Sequence, residues 1–213
     1  LATFTVGIGT GSLLCERLSA RHVEIGLVPL GSIGLTIFGL DLAFASLALP
    51  AATGELPLGA LLGQPGVWRV LAALLLLGLY GGFFIVPLYA LVQLRSTPDK
   101  RARIIAANNI INAFFMVVGA LAAAAMFAGG LSIPMLFAVA AICNAAIAVF
   151  IYGLLPEFLL PFLAWVLTHL FYRVKKRGVE HIPHEGAALI VCNHVSFVDP
   201  VILMAVSPRP IRF

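Results

Sequence analysis

Four long apolar runs leave this chain few ways to fold. They extend from Ile25 to Leu49, broken only by Asp41, then from Trp68 to Leu94, from Ile104 to Phe127 and from Pro134 to Leu155. At 1.5 Å per residue, each is long enough as a helix to cross a hydrocarbon layer of about 30 Å. In that layer no water can satisfy backbone N–H and C=O groups, so an isolated apolar run must satisfy them within itself as an α-helix. Composition agrees: 62% of the 213 residues are hydrophobic and 10% are charged, against about half and a quarter in ordinary globular domains. An earlier run, Leu1 to Leu14, is too short to cross alone and reads as the tail of a helix. The chain starts on Leu1 and stops on Phe213, and we expect it to be a segment of a longer protein. No signal-peptide pattern is visible.

The breaks between runs are polar. "CERLSARHVE" follows the first, "PAATGELPLGALLGQPG" reads as a Pro/Gly loop after the second, "RSTPDKRAR" follows the third and "AGGLSIP" the fourth. Assigning breaks to alternate sides puts Arg17, Arg21, Arg95, Lys100, Arg101, Arg103, Arg173, Lys175, Lys176 and Arg177 on one side, and only Arg69 on the other. That asymmetry predicts a cytoplasmic location for the basic side. The formal net charge of +4 is thus a matter of topology, and no nucleic-acid partner is expected. Cys15, Cys143 and Cys192 lie far apart with no C-x-x-C pair, and neither they nor His181 and His184 suggest a metal site.

Several residues bear on transport. Glycines recur in the spans, Gly7, Gly9 and Gly11 first, then Gly26, Gly31, Gly34 and Gly39, then Gly78, Gly81 and Gly82. They serve close helix packing and conformational rocking equally well. Asp41 is costly inside a span, about 2.5–3.5 kcal/mol on insertion scales. It either faces a polar interior, binding a cation or pairing with Arg69, or lies near the interface because the span ends early. Asn108, Asn109 and Asn112 in the next span can serve as interhelical hydrogen bonds or as a substrate site. The break "SLLCERLSAR" resembles the cytoplasmic loop signature of the major facilitator superfamily, G-x-x-x-[DE]-R-x-G-R-[RK]. Ser12, Glu16, Arg17, Ser19 and Arg21 occupy the pattern, with serines for both glycines and Ala20 at one basic position. The resemblance implies a charge-contact role in gating for Glu16, Arg17 and Arg21.

After the last span, "EFLLPFLAWVLTHLFYRVKKRG" offers about fifteen residues, Phe158 to Tyr172, too few to cross comfortably and closed by a basic cluster. With Trp165, His169 and Tyr172 it predicts a helix at the inner leaflet, its cluster near anionic head groups. A short sixth crossing is the alternative. Beyond it, Ala187 to Cys192 reads as a β-strand, and Asp199-Pro200 as the N-cap and first residue of a helix through "VILMAV". His194 would sit on the turn between them. Asn193, His194, Ser196 and Asp199 match N-H-x-[ST]-x-x-D, the first signature of the glycerolipid acyltransferase family, which this block resembles. Gly178, Glu180, Ile182, Pro183 and Gly186 match its G-x-E-x-I-P-x-x-G approach. The resemblance implies that His194 is the general base and Asp199 the acid that orients it, with Ser196 a local hydrogen-bonder. An alcohol needs such a base before it can attack a thioester.

The expected fold class is therefore mainly α, a multi-span helical membrane protein like the C-terminal part of a major facilitator superfamily fold, followed by the start of an α/β acyltransferase domain. The expected divisions are 1–156, a linker helix at 157–177, and 178–213. This order of parts resembles bacterial inner-membrane fusions of a lysophospholipid transporter with a lysophospholipid acyltransferase. The resemblance implies a lysophospholipid substrate, a bilayer partner, and acyl-acyl carrier protein or acyl-CoA as acyl donor, with no bound cofactor. Two other readings stand: an acyltransferase on a passive helical anchor, and a transporter of another solute with an inactive tail.

Overall fold

A computed structural model describes residues 1–18, 26–50, 54, 56–154, 156–171, 174–175, 177–178, 181–183, 186–207 and 211. Within the helix from Pro156 to Phe171, the description excludes the side chains of residues 156–158, 160, 161, 165 and 169. Eight helices form among the described residues: α1 (Ala2–Leu18), α2 (Leu27–Leu47), α3 (Leu58–Leu62), α4 (Val67–Arg95), α5 (Arg101–Ala128), α6 (Ile133–Leu154), α7 (Pro156–Phe171) and α8 (Asp199–Val206). Helices α2, α4, α5 and α6 are long and apolar enough to cross a membrane, and each lies within three residues of the run that predicted it. Two boundaries differ from the sequence reading. Helix α1 continues through Cys15, Glu16 and Arg17 rather than breaking at Cys15; buried Cys15 extends its packed face. The Pro/Gly loop also contains the one-turn helix α3.

Small residues set the packing. Gly7 and Gly11 of α1 meet Gly78 and Gly82 of α4, four residues apart on each helix, so the two backbones touch. A Cβ at Gly82 would sit 2.8 Å from the Ser12 amide nitrogen, and one at Gly7 or Gly11 would strike the Leu75 or Leu79 carbonyl. The pairing of low with low and high with high numbers shows that α1 and α4 run parallel. Helix α2 packs antiparallel to α4, with Gly31 against the Phe84 backbone and Gly34 under the Tyr80 ring. Phe38 stacks on that ring with centroids 5.2 Å apart. Gly9, by contrast, faces open space. Removing side chains at the crossing points lets dispersion contacts and backbone proximity hold helices that gain nothing from leaving lipid.

A polar seam joins α2 to α6. Asn144 Nδ2 donates to the Ser32 carbonyl at 3.0 Å and to Thr36 Oγ1 at 2.8 Å. The Ser32 and Tyr152 hydroxyls share a hydrogen bond of 2.5 Å. Gly39 beside Ala141 completes the antiparallel crossing. Helix α5 differs: none of its residues is buried, and it touches α4 and α6 only sparsely, Asn112 Nδ2 donating to Tyr89 Oη at 2.8 Å.

This register gathers one end of the bundle. The C-termini of α1, α4 and α6 and the N-termini of α2 and α5 lie together there, with Arg17, Arg95, Lys100, Arg101 and Arg103. Helix α7 leaves α6 at that end and packs on α2, where its buried Phe162 lies near Gly26. Helix α8 then packs on α7. The predicted strand Ala187–Cys192 does not form: among the described residues no strand exists. A strand is sustained by a neighbour's ladder, and here Leu189 and Val191 stand exposed instead.

Candidate active site

The segment leading to the site is shaped by two glycines. Gly178 has φ of 74° and Gly186 φ of 81°, both left-handed, which a Cβ would resist. The Gly178 carbonyl accepts from the His181 N–H at 3.1 Å. Glycine at these two places in the lead-in thus has a backbone cause. Glu180 and His184 lie outside the described residues.

The chain then reaches, without regular structure, a turn at residues 194–199 organised by one atom. Asp199 Oδ2 accepts the Val195 N–H at 2.7 Å, the Ser196 N–H at 2.8 Å and faces His194 Nδ1 at 3.1 Å. Ser196 Oγ accepts from the Val198 N–H at 3.4 Å, so this hydroxyl is engaged in shaping the turn. The sequence reading made Asp199 an N-cap. Instead Val198 occupies that position and Asp199 is the first residue of α8, its carboxylate turned back onto the preceding turn. The reason is competition: two N–H groups and an imidazole converge on the oxygen ahead of the helix. The Ser196 and then the Val195 N–H hold the Asp199 carboxyl below the usual carboxylate range, His194 adding a smaller effect. Asp199 is therefore ionised at neutral pH.

The His194 side chain is 68% exposed, whereas that of Asp199 is 22% exposed. With Nδ1 toward the carboxylate, Nε2 is on the outward edge of the ring. The ring lies edge-on to Phe197, centroids 6.4 Å apart, and Asn193 is exposed beside it. An anionic acceptor at Nδ1 favours the tautomer whose Nε2 carries a lone pair, and an outward Nε2 can take a proton from an approaching hydroxyl. Near the turn, Leu167, Thr168 and Phe171 of α7, Val198 at the N-cap of α8 and Val201 within α8 line an open apolar depression of about 500 Å³. The sequence reading did not find it. The helical spacing of Leu167 and Phe171 and of Val198 and Val201 was the available signal.

The remaining sequence candidates lie elsewhere. Glu16 and Arg17 are exposed on the last turn of α1, where Arg17 complements the helix dipole; Arg21 lies outside the described residues. Asp41 is at the opposite end of the bundle, where Arg69 Nε donates to its Oδ1 at 3.1 Å and Nη2 donates to the same oxygen. Asp41 thus makes the pair with Arg69 that was one of the possibilities open to it, with its side chain 31% exposed. Asn108 and Asn109 lie on the open helix α5, and Asn144, passed over in the sequence, carries the interhelical seam. Among the described residues no group of three His, Cys, Asp or Glu could hold a metal ion.

Comparison with known proteins bears on one part of the chain. No curated protein and no solved structure matches it. A family model described as "Acyltransferase" matches residues 173–213, the segment that contains the turn, Asp199 and α8. The C-terminal segment therefore carries an acyltransferase-family sequence, attached to helices long and apolar enough to cross a membrane.

Proposed function

We propose that the chain belongs to a bacterial inner-membrane protein that moves a lysophospholipid across the membrane and re-acylates it on the cytoplasmic side. The observation that carries the enzymatic half is the His194–Asp199 pair, an exposed imidazole whose Nδ1 faces a fixed anionic oxygen at 3.1 Å. In the proposed step, His194 Nε2 takes the proton from the free glycerol hydroxyl. The oxygen attacks the thioester carbonyl of an acyl-acyl carrier protein or acyl-CoA, a C–O bond forms and the C–S bond breaks. The proton passes to the departing thiolate. Asp199 holds the ring and stabilises the imidazolium formed in transit. No covalent acyl-enzyme is required.

The transport half rests on the glycine-packed spans, the degenerate major facilitator loop at Ser12–Arg21, and the basic residues gathered at one end of the bundle. That end would be cytoplasmic by the positive-inside tendency, which puts α7 and the turn at the inner leaflet. The test uses membrane vesicles supplied with labelled lysophosphatidylethanolamine on the face opposite the turn. Movement and re-acylation are followed together in wild type and His194→Ala. We expect His194→Ala to move label without acylating it. Acylation that survives the substitution overturns the catalytic assignment, and label that never crosses leaves the helices as an anchor.

A further inference from the structure

The cavity between α7 and α8 has a chemistry distinct from that of the turn beside it. Of the described residues that line it, Leu167, Phe171, Val198 and Val201 are apolar. Thr168, also in the lining, is buried with its hydroxyl donating to the Ala164 carbonyl of its own helix at 2.8 Å. Such a lining favours hydrocarbon and disfavours a phosphate or glycerol group, which would lose its hydration there without replacement. The depression, of about 500 Å³, is open on one side, which suits a flexible chain laid along it.

Position identifies the source of that hydrocarbon. One wall is α7, which follows directly on α6 and packs on α2, so it is continuous with the spans. The other wall includes Val198, adjacent to the carboxylate that holds His194. The imidazole itself is 68% exposed. A chain in the depression thus lies next to the spans, whereas the exposed imidazole is open to a carrier-borne thioester.

Resting on the acyltransfer reading above, we propose that the α7–α8 cavity binds the hydrocarbon chain of the lipid acceptor, drawn sideways from the leaflet. Its glycerol hydroxyl is thereby presented to His194 while the acyl donor arrives from the opposite face. Affinity for the acceptor then grows with its chain length, and affinity for the donor is set elsewhere.

The experiment uses the membrane-embedded protein and two photoactivatable probes, a lysophosphatidylethanolamine with a mid-chain diazirine and an acyl-CoA with the same group. Cross-linked peptides are mapped by mass spectrometry. We expect the lysolipid probe to label residues 167–171 and 198–201, in wild type and in His194→Ala alike. Val201→Trp and Leu167→Trp, which fill the cavity from its two walls, should each reduce that labelling and raise KM for a palmitoyl acceptor by roughly tenfold. KM for a hexanoyl acceptor and for the donor should stay near wild type. Labelling of these segments by the donor probe, or by neither probe, overturns the proposal. If lysolipid labels the cavity but wild type acylates nothing, the acyltransfer reading fails and the lipid site stands. If acylation proceeds and neither tryptophan changes the acceptor KM, the cavity proposal fails alone.

Discussion

Replacing Asp199 by asparagine separates what its charge does from what its shape does. A single oxygen, Oδ2, meets the Val195 N–H, the Ser196 N–H and His194 Nδ1. An amide oxygen in the same place can accept the same donors, so Asp199→Asn should keep the turn and α8 while removing the negative charge. Asp199→Ala removes both. General-base catalysis contributes about 10²–10⁴-fold, and loss of the orienting acid in a serine-hydrolase triad costs about 10⁴. Here the imidazole is 68% exposed, so water screens the pair, and the loss in kcat should lie nearer about 10² than 10⁴. The assay is thiol release from an acyl thioester by the membrane-embedded protein, with acceptor and donor each varied to separate kcat from KM. We expect kcat to fall and both KM values to hold. If Asp199→Asn stays within about threefold of wild type while Asp199→Ala is dead, the carboxylate only shapes the turn and the base–acid reading is refuted.

The same carboxylate has a readable pH signature. Its N–H partners depress its folded pKa below the ordinary value of about 3.9. A depressed carboxyl contributes stability that is fully present above the unfolded value and is lost as pH falls through the folded one. Amide exchange of Val195 and Ser196, corrected for intrinsic rates, should therefore be flat from neutral pH down to the ordinary carboxylate range and rise only below it. Loosening well above that range would show that Asp199 does not hold the turn.

Two further outcomes concern the bundle. Gly82→Leu should destabilise the α1–α4 crossing by about 1–3 kcal/mol or more through overpacking, because its Cβ would meet the Ser12 amide at 2.8 Å. Gly9→Leu, where a Cβ meets no other helix within 4 Å among the described residues, should leave thermal unfolding in detergent unchanged or raise the midpoint; equal losses at both positions would contradict the interlock. For the α2–α6 seam, a cycle of Asn144→Leu and Thr36→Val should return a coupling of about 0.6 kcal/mol, the average for interhelical hydrogen bonds in lipid. A coupling of zero would mean the seam is geometric contact without energetic weight.

How much the sequence disclosed depended on whether a feature is local. Helix existence in the spans is local, since an apolar run in lipid must satisfy its own backbone. The extents of α2, α4, α5 and α6 were accordingly legible to within three residues. Which glycines pack is not local. Gly7 and Gly9 are indistinguishable in composition, and only the approach of α4 makes one essential and the other idle. Asn144 was missed for the same reason, since a lone Asn in an apolar run looks weaker than the Asn108–Asn109–Asn112 group, and its Ser32 and Thr36 partners lie over 100 positions away. At the site, the five-residue spacing of His194 and Asp199 brought them within hydrogen-bond range without help from the rest of the fold. The strand at Ala187–Cys192 was read from β-propensity, which describes a fit to neighbouring strands more than a backbone preference. The cap at Asp199 was read from residue type alone, whereas the direction its carboxylate takes is decided by the donors of the preceding turn.

Helix α7 is where any communication between spans and turn has to be sought. It touches α2 and α6 on one side and α8 on the other, with Phe162 near Gly26 and Thr168 buried four residues from Ala164. Coupling between two sites requires an element with two arrangements that both sites bias. Helix α2 joins α4 by close backbone contact and α6 by its polar seam, but meets α7 over a smaller area. A small, mainly apolar contact tolerates sliding more easily than a backbone interlock does. A rearrangement of the bundle would therefore shift α7 against α2 before it disturbed α1 against α4. Because α7 forms one wall of the proposed acceptor groove, that shift would change the width of the groove while leaving the His194–Asp199 pair, held entirely within residues 194–199, in place. Conformational change in the spans would then gate acceptor entry, and the catalytic pair would stay poised throughout.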